Sequence, residues 1–295
     1  MKMSKVAIIF TLIICFASLP SCTATSTDPK VNFPDSNLEK VIRDEIGLSF
    51  GSIRSSHLMN IIDLKAHSKG IIDLTGLEYC TNLVHLGLAD NLIKDISPLS
   101  GLTNLSSLDF ECNQINDISK LSSLTNLESL CLSVNNVDDI SPISSLTKLN
   151  GLYLESNQVN DISPLTSLSN LEYLILCDNQ ISDFTPLSKL TNLKSLNIGY
   201  NQIQDIFFLS NLIELTNLSL VCNQIHDISV LDMLSNLNEL RLWNNNINDI
   251  CPLLLNTGLG EGDEIDLIGN PLNDNSLKQC IPQLKKRGVK ILWDD

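Results

Sequence analysis

Residues 83–104 read LVHLGLADNLIKDISPLSGLTN, and this pattern returns every 22 residues until about position 253. The period is clearest in a column of asparagines: Asn91, Asn113, Asn135, Asn157, Asn179, Asn201, Asn223 and Asn245. Four residues after each asparagine stands an aspartate: Asp95, Asp117, Asp139, Asp161, Asp183, Asp205, Asp227 and Asp249. Apolar residues follow at third positions, as in Leu99, Leu102 and Leu105. Eight copies in phase indicate an internal repeat, in which each copy is one structural unit.

The form L-x-x-L-x-L-x-x-N-x-L at this period is the signature of a leucine-rich repeat. Each L-x-x-L-x-L segment predicts a short strand whose side chains alternate between core and solvent, and the stacked strands form a parallel sheet. The predicted fold class is therefore an α/β repeat. It is a right-handed, curved leucine-rich repeat solenoid with the sheet on its concave face, 3₁₀ or irregular turns on its convex face, and terminal caps. Prolines such as Pro98 mark the convex turn, because proline fixes φ where a helix cannot run.

Two repeated columns have predicted structural roles. The asparagines are expected to be buried at the turn after the strand, where the amide satisfies backbone groups of its own and the neighbouring coil. The aspartates are expected to cap the turn that follows. A calcium ladder is the alternative, but one carboxylate per coil falls short of the six to eight oxygen ligands that calcium takes.

The chain divides into five predicted segments: a leader at 1–22, a tether at 23–33, an N-terminal helical cap at 34–57, the repeats at 58–252, and an irregular last repeat with a C-terminal cap at 253–295. In the N-terminal cap, Ser36 and Glu39 have the spacing of a capping box, which predicts the start of an amphipathic helix. An open solenoid exposes its apolar core at both ends, so a cap with a polar outer face is required there.

Residues 1–22 have the pattern of an export signal. Two lysines precede an apolar stretch at 6–17, and the tetrapeptide that ends at Cys22 resembles a bacterial lipobox, which makes Cys22 the expected lipidation site. Cleavage by ordinary signal peptidase near Ala24 and an uncleaved anchor helix are the alternatives. We therefore expect an exported protein of the cell envelope or cell surface, either secreted or held to the membrane by an N-terminal lipid anchor.

The repeats resemble internalin-type bacterial surface proteins with short leucine-rich repeats. The consensus LTNLxxLxLxxNQIxDISPL runs through residues 81–250. FPDSNLEKVIRDEIG resembles the N-terminal cap of that family, and NTGLGEGDEIDLIGNPL resembles a C-terminal repeat common in such proteins. The resemblance implies a curved solenoid that binds another protein through its concave face and has no catalysis of its own.

The concave positions of each coil are predicted to lie six, four, two and one residues before the column asparagine. Tyr153, Tyr173, Tyr200 and Trp243 fall there. Aromatic rings on a rigid sheet with few long polar chains around them are typical of binding hot spots. The alternative is that the rings only cover the sheet between rungs. The predicted partner-binding residues are Asp109, Glu111, Tyr153, Glu155, Tyr173, Asp178, Tyr200, Arg241 and Trp243.

The charge of the chain bounds its partners. A formal net charge of −15 argues against nucleic-acid binding, because a protein needs a basic patch to displace the counterions of a nucleic acid. The first part of the concave face carries Asp90 and several of the acidic residues named above. Two interpretations of these carboxylates stay open: a surface for a basic patch on a partner, or an ordinary solvated face.

No motif predicts catalysis, a cofactor or a metal site. The sequence has no C-x-x-C, no paired histidines, no phosphate-binding glycine loop and no G-x-S-x-G. Cys112 and Cys131 are expected on adjacent rungs but out of step, too far apart for a disulfide. Cys251 with Cys280 is the one pair that we consider. The four histidines are interpreted as surface residues.

The predicted function is a non-enzymatic cell-surface module that binds a protein partner on the concave face. A glycan-binding surface protein is the alternative, because exposed rings stack on sugar faces while nearby Asp and Asn side chains hydrogen-bond hydroxyl groups. A structural envelope protein without a specific ligand is the third hypothesis.

Overall fold

The computed structural model describes residues 28–294, and their strands form one parallel sheet in sequence order. The predicted leader, with Cys22 and the alternative cleavage point, lies outside the described residues, as does the start of the tether. The strands are β1 Asp63–Lys65, β2 His85–Gly87, β3 Ser107–Asp109, β4 Ser129–Cys131, β5 Gly151–Tyr153, β6 Tyr173–Ile175, β7 Ser195–Asn197, β8 Asn217–Ser219, β9 Glu239–Arg241, β10 Glu264–Asp266 and β11 Lys290–Leu292. Strands β2 to β9 pair at an offset of one repeat, for example Leu86 with Leu108.

On the side opposite the sheet, each coil returns through a short 3₁₀ turn. These turns are Leu77–Tyr79, Ser97–Leu99, Ser119–Ser123, Ser141–Ser145, Ser163–Ser167, Thr185–Lys189, Phe207–Asn211, Ser229–Met233 and Cys251–Leu254. Helices α1 Ser36–Glu45 and α2 Ser55–Leu58 precede the sheet, and a π-helical turn, Ser276–Cys280, leads into helix α3 Ile281–Lys286 before β11. The predicted fold class, a leucine-rich repeat solenoid, is confirmed.

A single apolar core runs through the whole stack. Each coil contributes leucine, isoleucine or valine at the middle of its strand and at third positions through the turn, and these side chains are almost fully buried. Phe110 is the largest fully buried side chain of the core. Burial of each such side chain stabilises the fold by about 1.5–3 kcal/mol, so every coil depends on the neighbours that cover it.

The asparagine column forms a hydrogen-bonded ladder between coils, as predicted. The Asn135 amide nitrogen donates to the carbonyls of Phe110 at 2.9 Å and Leu132 at 3.0 Å. Its Oδ1 accepts the backbone N–H of Ile115, in the preceding coil, at 2.9 Å. Each asparagine side chain thus forms hydrogen bonds with backbone groups of two coils, and the hydrogen bonds between strands leave these groups unpaired. Within the described residues, Asn201 is the one column member whose buried Oδ1 has no hydrogen-bond partner.

The column aspartates cap the 3₁₀ turns. In every regular coil one carboxylate oxygen accepts the backbone N–H two residues later, as Asp95 does from Ser97 at 2.8 Å and Asp205 from Phe207 at 2.8 Å. The prediction of turn capping is confirmed, because an Asx turn of this kind satisfies a free N–H at the start of the turn.

The N-terminal cap differs from its prediction in one residue. Asp35, not Ser36, is the N-cap of α1, and its Oδ1 accepts the N–H groups of Asn37 at 2.9 Å and Leu38 at 3.0 Å. Its Oδ2 accepts the N–H of Ile72 at 2.7 Å, in the first coil. The predicted capping-box partner, Glu39, pairs instead with an arginine one turn later. A tertiary contact therefore determines which residue is the N-cap. The Asp35 carboxylate caps the first turn of α1 and also binds the backbone of the first coil.

The pKa of the Asp35 carboxyl reflects these contacts. Partial burial opposes ionisation, but hydrogen bonds from the N–H groups of Ile72, Leu38, Asp73 and Asn37 together outweigh it and lower the pKa. A lowered pKa in the folded state means that the carboxylate stabilises the fold above its unfolded pKa of about 3.9, and this contribution disappears as the pH falls through the folded value.

The C-terminal cap is closed by a disulfide. Cys251 and Cys280, the pair considered from the sequence, are bonded with their Cα atoms 5.4 Å apart. The ammonium of Lys285 lies 3.8 Å from the centroid of the Trp293 ring, beside β11. Cys80, Cys112, Cys131, Cys177 and Cys222 are free. Among residues 28–294, no helix has the length and apolar character needed to cross a bilayer.

Replacing Asn135 by alanine is expected to lower the free energy of unfolding by about 3 kcal/mol, because it leaves buried backbone groups unpaired. Asn136→Ala, at the exposed neighbouring position, is the control and is expected to cost less than about 0.5 kcal/mol. Urea denaturation followed by circular dichroism measures both. Equal unfolding midpoints for the two variants would show that the ladder does not hold the coils together.

Asp35→Asn is expected to destabilise the protein by about 1–2 kcal/mol at pH 7, since an amide cannot accept two pairs of N–H groups. Ser36→Ala is the control and is expected to be nearly neutral. The wild type is expected to lose more stability than Asp35→Asn between pH 5 and pH 3, as the carboxylate is protonated. Parallel pH profiles for the two proteins would contradict this assignment of the cap.

Candidate partner-binding face

The candidate site is the exposed face of the sheet, here called the concave face. The middle residue of each strand points into the core and is buried, while the first and third residues face outward. The residues two and one positions before the column asparagine continue this outward face beyond the strand. Of the predicted binding residues, Glu111, Glu155, Tyr173, Asp178, Tyr200 and Arg241 are exposed, and Asp109, Tyr153 and Trp243 are half-buried.

The four aromatic residues fall into two groups. Tyr153, on β5, leans over Gly151, where a Cβ would lie 3.3 Å from the ring, and Tyr173, on β6, is the register partner of Gly151. Glycine thus leaves room for the Tyr153 ring to lie along the sheet. Further along, the rings of Tyr200 and Trp243 meet edge to face with their centroids 5.8 Å apart, the geometry that aromatic pairs favour.

A hollow of about 190 Å³ lies on the same face, over β6 to β9. It is lined by outward residues of β6 to β9, which are Ile175, Ser195, Asn197, Asn217, Ser219, Glu239 and Arg241, and by the strand centres Leu196 and Leu218. Its middle is lined by the serine and asparagine side chains of β7 and β8, whereas Ile175, Glu239 and Arg241 stand at its ends. Arg241 does not project freely, because its guanidinium pairs with Glu239, which also accepts a hydrogen bond from Asn217 at 2.8 Å.

Residues directly before the column asparagines have a left-handed backbone. Asp178 has φ 55° and Tyr200 has φ 51°, and even the β-branched Val134 has φ 56°. This conformation is costly for residues other than glycine, and it persists only where surrounding contacts determine it. The N–H of each of these residues donates to the next coil, as Tyr200 does to Val221 at 2.8 Å, and the adjacent column asparagine donates to the carbonyl of the residue before it. The Tyr200 ring is thereby held 51% exposed on a fixed backbone.

The acidic part of the face contains a group of potential metal-ligand atoms that the spacing of the sequence did not reveal. One donor atom each from Asp109, Glu111 and Cys131 lies within 4.8 Å of the others. Burial, together with the nearby carboxylates, raises the pKa of the Cys131 thiol to about 11. His67 is exposed, as predicted, and its Nδ1 lies 3.9 Å from an Asp109 oxygen. Asp109 and Glu111 share a coil, whereas His67 and Cys131 belong to other coils, so stacking brings the group together.

The acidic residues Glu155 and Asp178 contact side chains of neighbouring coils. Asp178 accepts a hydrogen bond from the Ser156 hydroxyl at 2.8 Å. Glu155 lies beside the Cys177 thiol, whose pKa is raised to about 12, chiefly by burial and secondly by this carboxylate. The described face therefore offers acidic and aromatic surface and protonated thiols, and contains no arrangement in which a base activates a nucleophile.

Sequence and structural comparisons agree with the leucine-rich repeat fold. The family profile described as leucine-rich repeats in two copies matches residues 81–123, 125–167 and 169–211. No curated protein matches the chain by sequence. The chain is thus a leucine-rich repeat protein by both sequence and fold.

Two solved internalins from Listeria monocytogenes are similar over most of their length. Internalin C2 is 37% identical, with 70% of this chain and 92% of that chain covered and a TM-score of 0.68. Internalin InlF is 32% identical, with 92% of this chain and 95% of that chain covered and a TM-score of 0.60. The chain belongs to the internalin family of leucine-rich repeat proteins.

A plant relative shares the fold alone. The plant peptide hormone receptor RGFR1, solved in complex with RGF2, is 23% identical to this chain, with a TM-score of 0.61. The alignment covers 74% of this chain and 36% of the receptor chain. Leucine-rich repeat arrays form extended concave surfaces and commonly serve as protein-interaction modules.

Proposed function

We propose that the protein is a non-enzymatic module that binds a protein partner on its concave face, between β5 and β9. The observation that carries this proposal is that the Tyr153 and Tyr173 group and the Tyr200–Trp243 pair share one face of the sheet with a hollow over β6 to β9. Rigid aromatic rings beside a hollow are what interface hot spots use, since they bury a large area and lose little conformational entropy.

The exposure of the rings supports binding rather than packing. Tyr173 is 41% exposed and Tyr200 51% exposed, although their strands are already covered by the core on the other side. Other coils carry small or polar residues at these positions: Ser195 is the register partner of Tyr173, and Asp178, Cys222 and Asn244 stand where Tyr200 does. Packing therefore does not require rings at these places, and contact with a partner would remove their apolar surface from water.

The charge of the face supports a basic or neutral partner. Asp109 and Glu111 lie at one end and Glu155 and Asp178 near the middle, and Arg241 is already paired. A partner with Lys or Arg opposite these carboxylates would associate faster, and its binding would weaken as salt is added.

We further propose that the protein acts outside the cytoplasmic membrane, held there by acylated Cys22. The leader pattern of residues 1–22 motivates this proposal. Mass spectrometry of the mature N-terminus tests it. The expected N-terminal residue is Cys22 carrying acyl chains, whose number makes the anchor stable. An unmodified N-terminus near Ala24 would contradict the lipid anchor and favour secretion.

The binding proposal is tested with the double variant Tyr173→Ala/Trp243→Ala in capture experiments from cell-envelope and host-cell extracts. A protein captured by the wild type is expected to bind the double variant at least about 30-fold more weakly, as two hot-spot rings are lost. Tyr79→Ala is the matched control, because Tyr79 is 37% exposed on a 3₁₀ turn away from the concave face. Titration of the purified partner by calorimetry gives the affinities.

Two results would contradict the proposal. Equal affinity of the wild type and the double variant would remove the aromatic residues from the interface. Capture that survives protease treatment of the extract but fails after glycosidase treatment would establish a glycan ligand instead.

A further inference from the structure

One coil departs from the repeat on the side opposite the sheet. Where the other regular coils read Asp-Ile-Ser or a close variant, the Asn201 coil reads Asp-Ile-Phe-Phe-Leu, so Phe207 and Phe208 open its 3₁₀ turn. The corresponding first residues of the other regular turns are Ser97, Ser119, Ser141, Ser163, Thr185, Ser229 and Cys251. Phe184, in the preceding coil, also replaces the isoleucine of the consensus.

These three phenylalanines frame a groove, here called the convex groove. The rings of Phe184 and Phe208 stack with their centroids 5.7 Å apart and an interplanar angle of 21°. Beside them is a hollow of about 600 Å³ between the turns Thr185–Lys189 and Phe207–Asn211. Phe207 is 68% exposed and separates this hollow from a second one of about 410 Å³, which reaches Val230.

The asparagine ladder lacks one of its hydrogen bonds at the same junction. In the other regular coils Oδ1 accepts an N–H from the preceding coil, as Asn223 does from Ile203 at 3.0 Å, but the Oδ1 of Asn201 lacks such a partner within residues 28–294. The sheet side is intact, since the N–H of Leu176 donates to Asn197 at 2.8 Å. The Nδ2 of Asn201 also still donates to the Leu176 carbonyl of the preceding coil at 3.3 Å, so the junction lacks only the Oδ1 hydrogen bond.

The rim of the convex groove is acidic. Asp183 and Asp205 line the larger hollow, and Asp205 and Asp227 line the smaller one. Neither hollow has lysine or arginine among its described lining residues. Hydrogen bonds from Thr185 lower the pKa of Asp183, and hydrogen bonds from Ser229 lower the pKa of Asp227, so these carboxylates stay ionised at neutral pH.

The fold does not require an exposed ring at position 207. In the Asn91 coil the equivalent serine donates from its hydroxyl to Asp95 at 2.9 Å, and the same turn forms around it. Phe207 makes no such bond and leaves most of its ring in water. An exposed aromatic ring that stands between two hollows and among carboxylates is typical of a docking surface.

We propose that the convex groove is a second docking site, and that it binds a segment of a basic partner protein in which an apolar side chain is flanked by arginine or lysine. The apolar side chain would pack against Phe207 and the Phe184–Phe208 stack, and the cations would face the three rim aspartates. Charge complementarity selects this occupant. A second copy of the chain would bring together two molecules that each carry a net charge of −15.

The test uses fluorescein-labelled hexapeptides in which a central Phe-Leu or Trp-Leu pair has two Arg or Lys residues on each side. Control peptides keep the charges and replace the apolar pair by Gly-Ser. Fluorescence anisotropy with the purified protein is expected to show saturable binding of the apolar basic peptides, at least tenfold tighter than binding of the controls. Added salt is expected to weaken it.

Phe207→Ser is the decisive variant, because it restores the residue that the other turns carry and leaves the core untouched. It is expected to weaken peptide binding at least tenfold, with an unchanged or higher urea midpoint, while Phe207→Leu keeps most of the affinity. Tyr173→Ala/Trp243→Ala is expected to bind the peptides as the wild type does, which separates this site from the concave face.

Three results would overturn the proposal. They are the absence of saturable peptide binding, equal binding by the wild type and Phe207→Ser, and loss of peptide binding in the concave-face variant alone. Sedimentation velocity supplies a further check. A dimer of the wild type that Phe207→Ser abolishes would make a second copy of the chain the occupant and would also overturn the proposal.

Discussion

The hydrogen bonds of the column asparagines hold each coil of the solenoid to the one before it. Strands of three residues satisfy few backbone groups, and the turn that follows each strand would bury unpaired carbonyls and N–H groups. One side-chain amide per coil supplies the missing donors and acceptor and does so across two coils. Since each coil also needs its neighbour to cover its apolar side chains, hydrogen bonding and core packing reinforce the same stacking.

The ladder also fixes the functional surface. It holds the residue before each asparagine in the left-handed region, so that Asp178 and Tyr200 leave the sheet in a set direction. A ring presented on a determined backbone loses little freedom when it binds, which is the advantage of a preorganised interface. At Asn201 the ladder keeps its Nδ2 hydrogen bonds but lacks the Oδ1 bond, and the opposite side of the same coil carries exposed aromatic surface.

Most features that repeat could be predicted from the sequence. The period predicts the strands, the buried leucines, the asparagine ladder and the aspartate caps, because each column occupies one environment in every coil. Features that depend on contacts between unlike segments could not be predicted. The choice of Asp35 as N-cap needs the backbone of Ile72 and Asp73, and the group formed by Asp109, Glu111 and Cys131 needs β3 stacked on β4. The convex groove likewise arises only when the phenylalanines of two coils meet.

Site-specific photo-crosslinking can show whether the partner contacts the concave aromatic residues. The photoreactive residue p-benzoylphenylalanine would replace Tyr200 in one variant, and Tyr79 on the opposite side in another, before exposure to cell-envelope and host-cell extracts. The account predicts a covalent adduct with one protein from position 200 and none from position 79. An adduct from position 79 with no adduct from position 200 would contradict it.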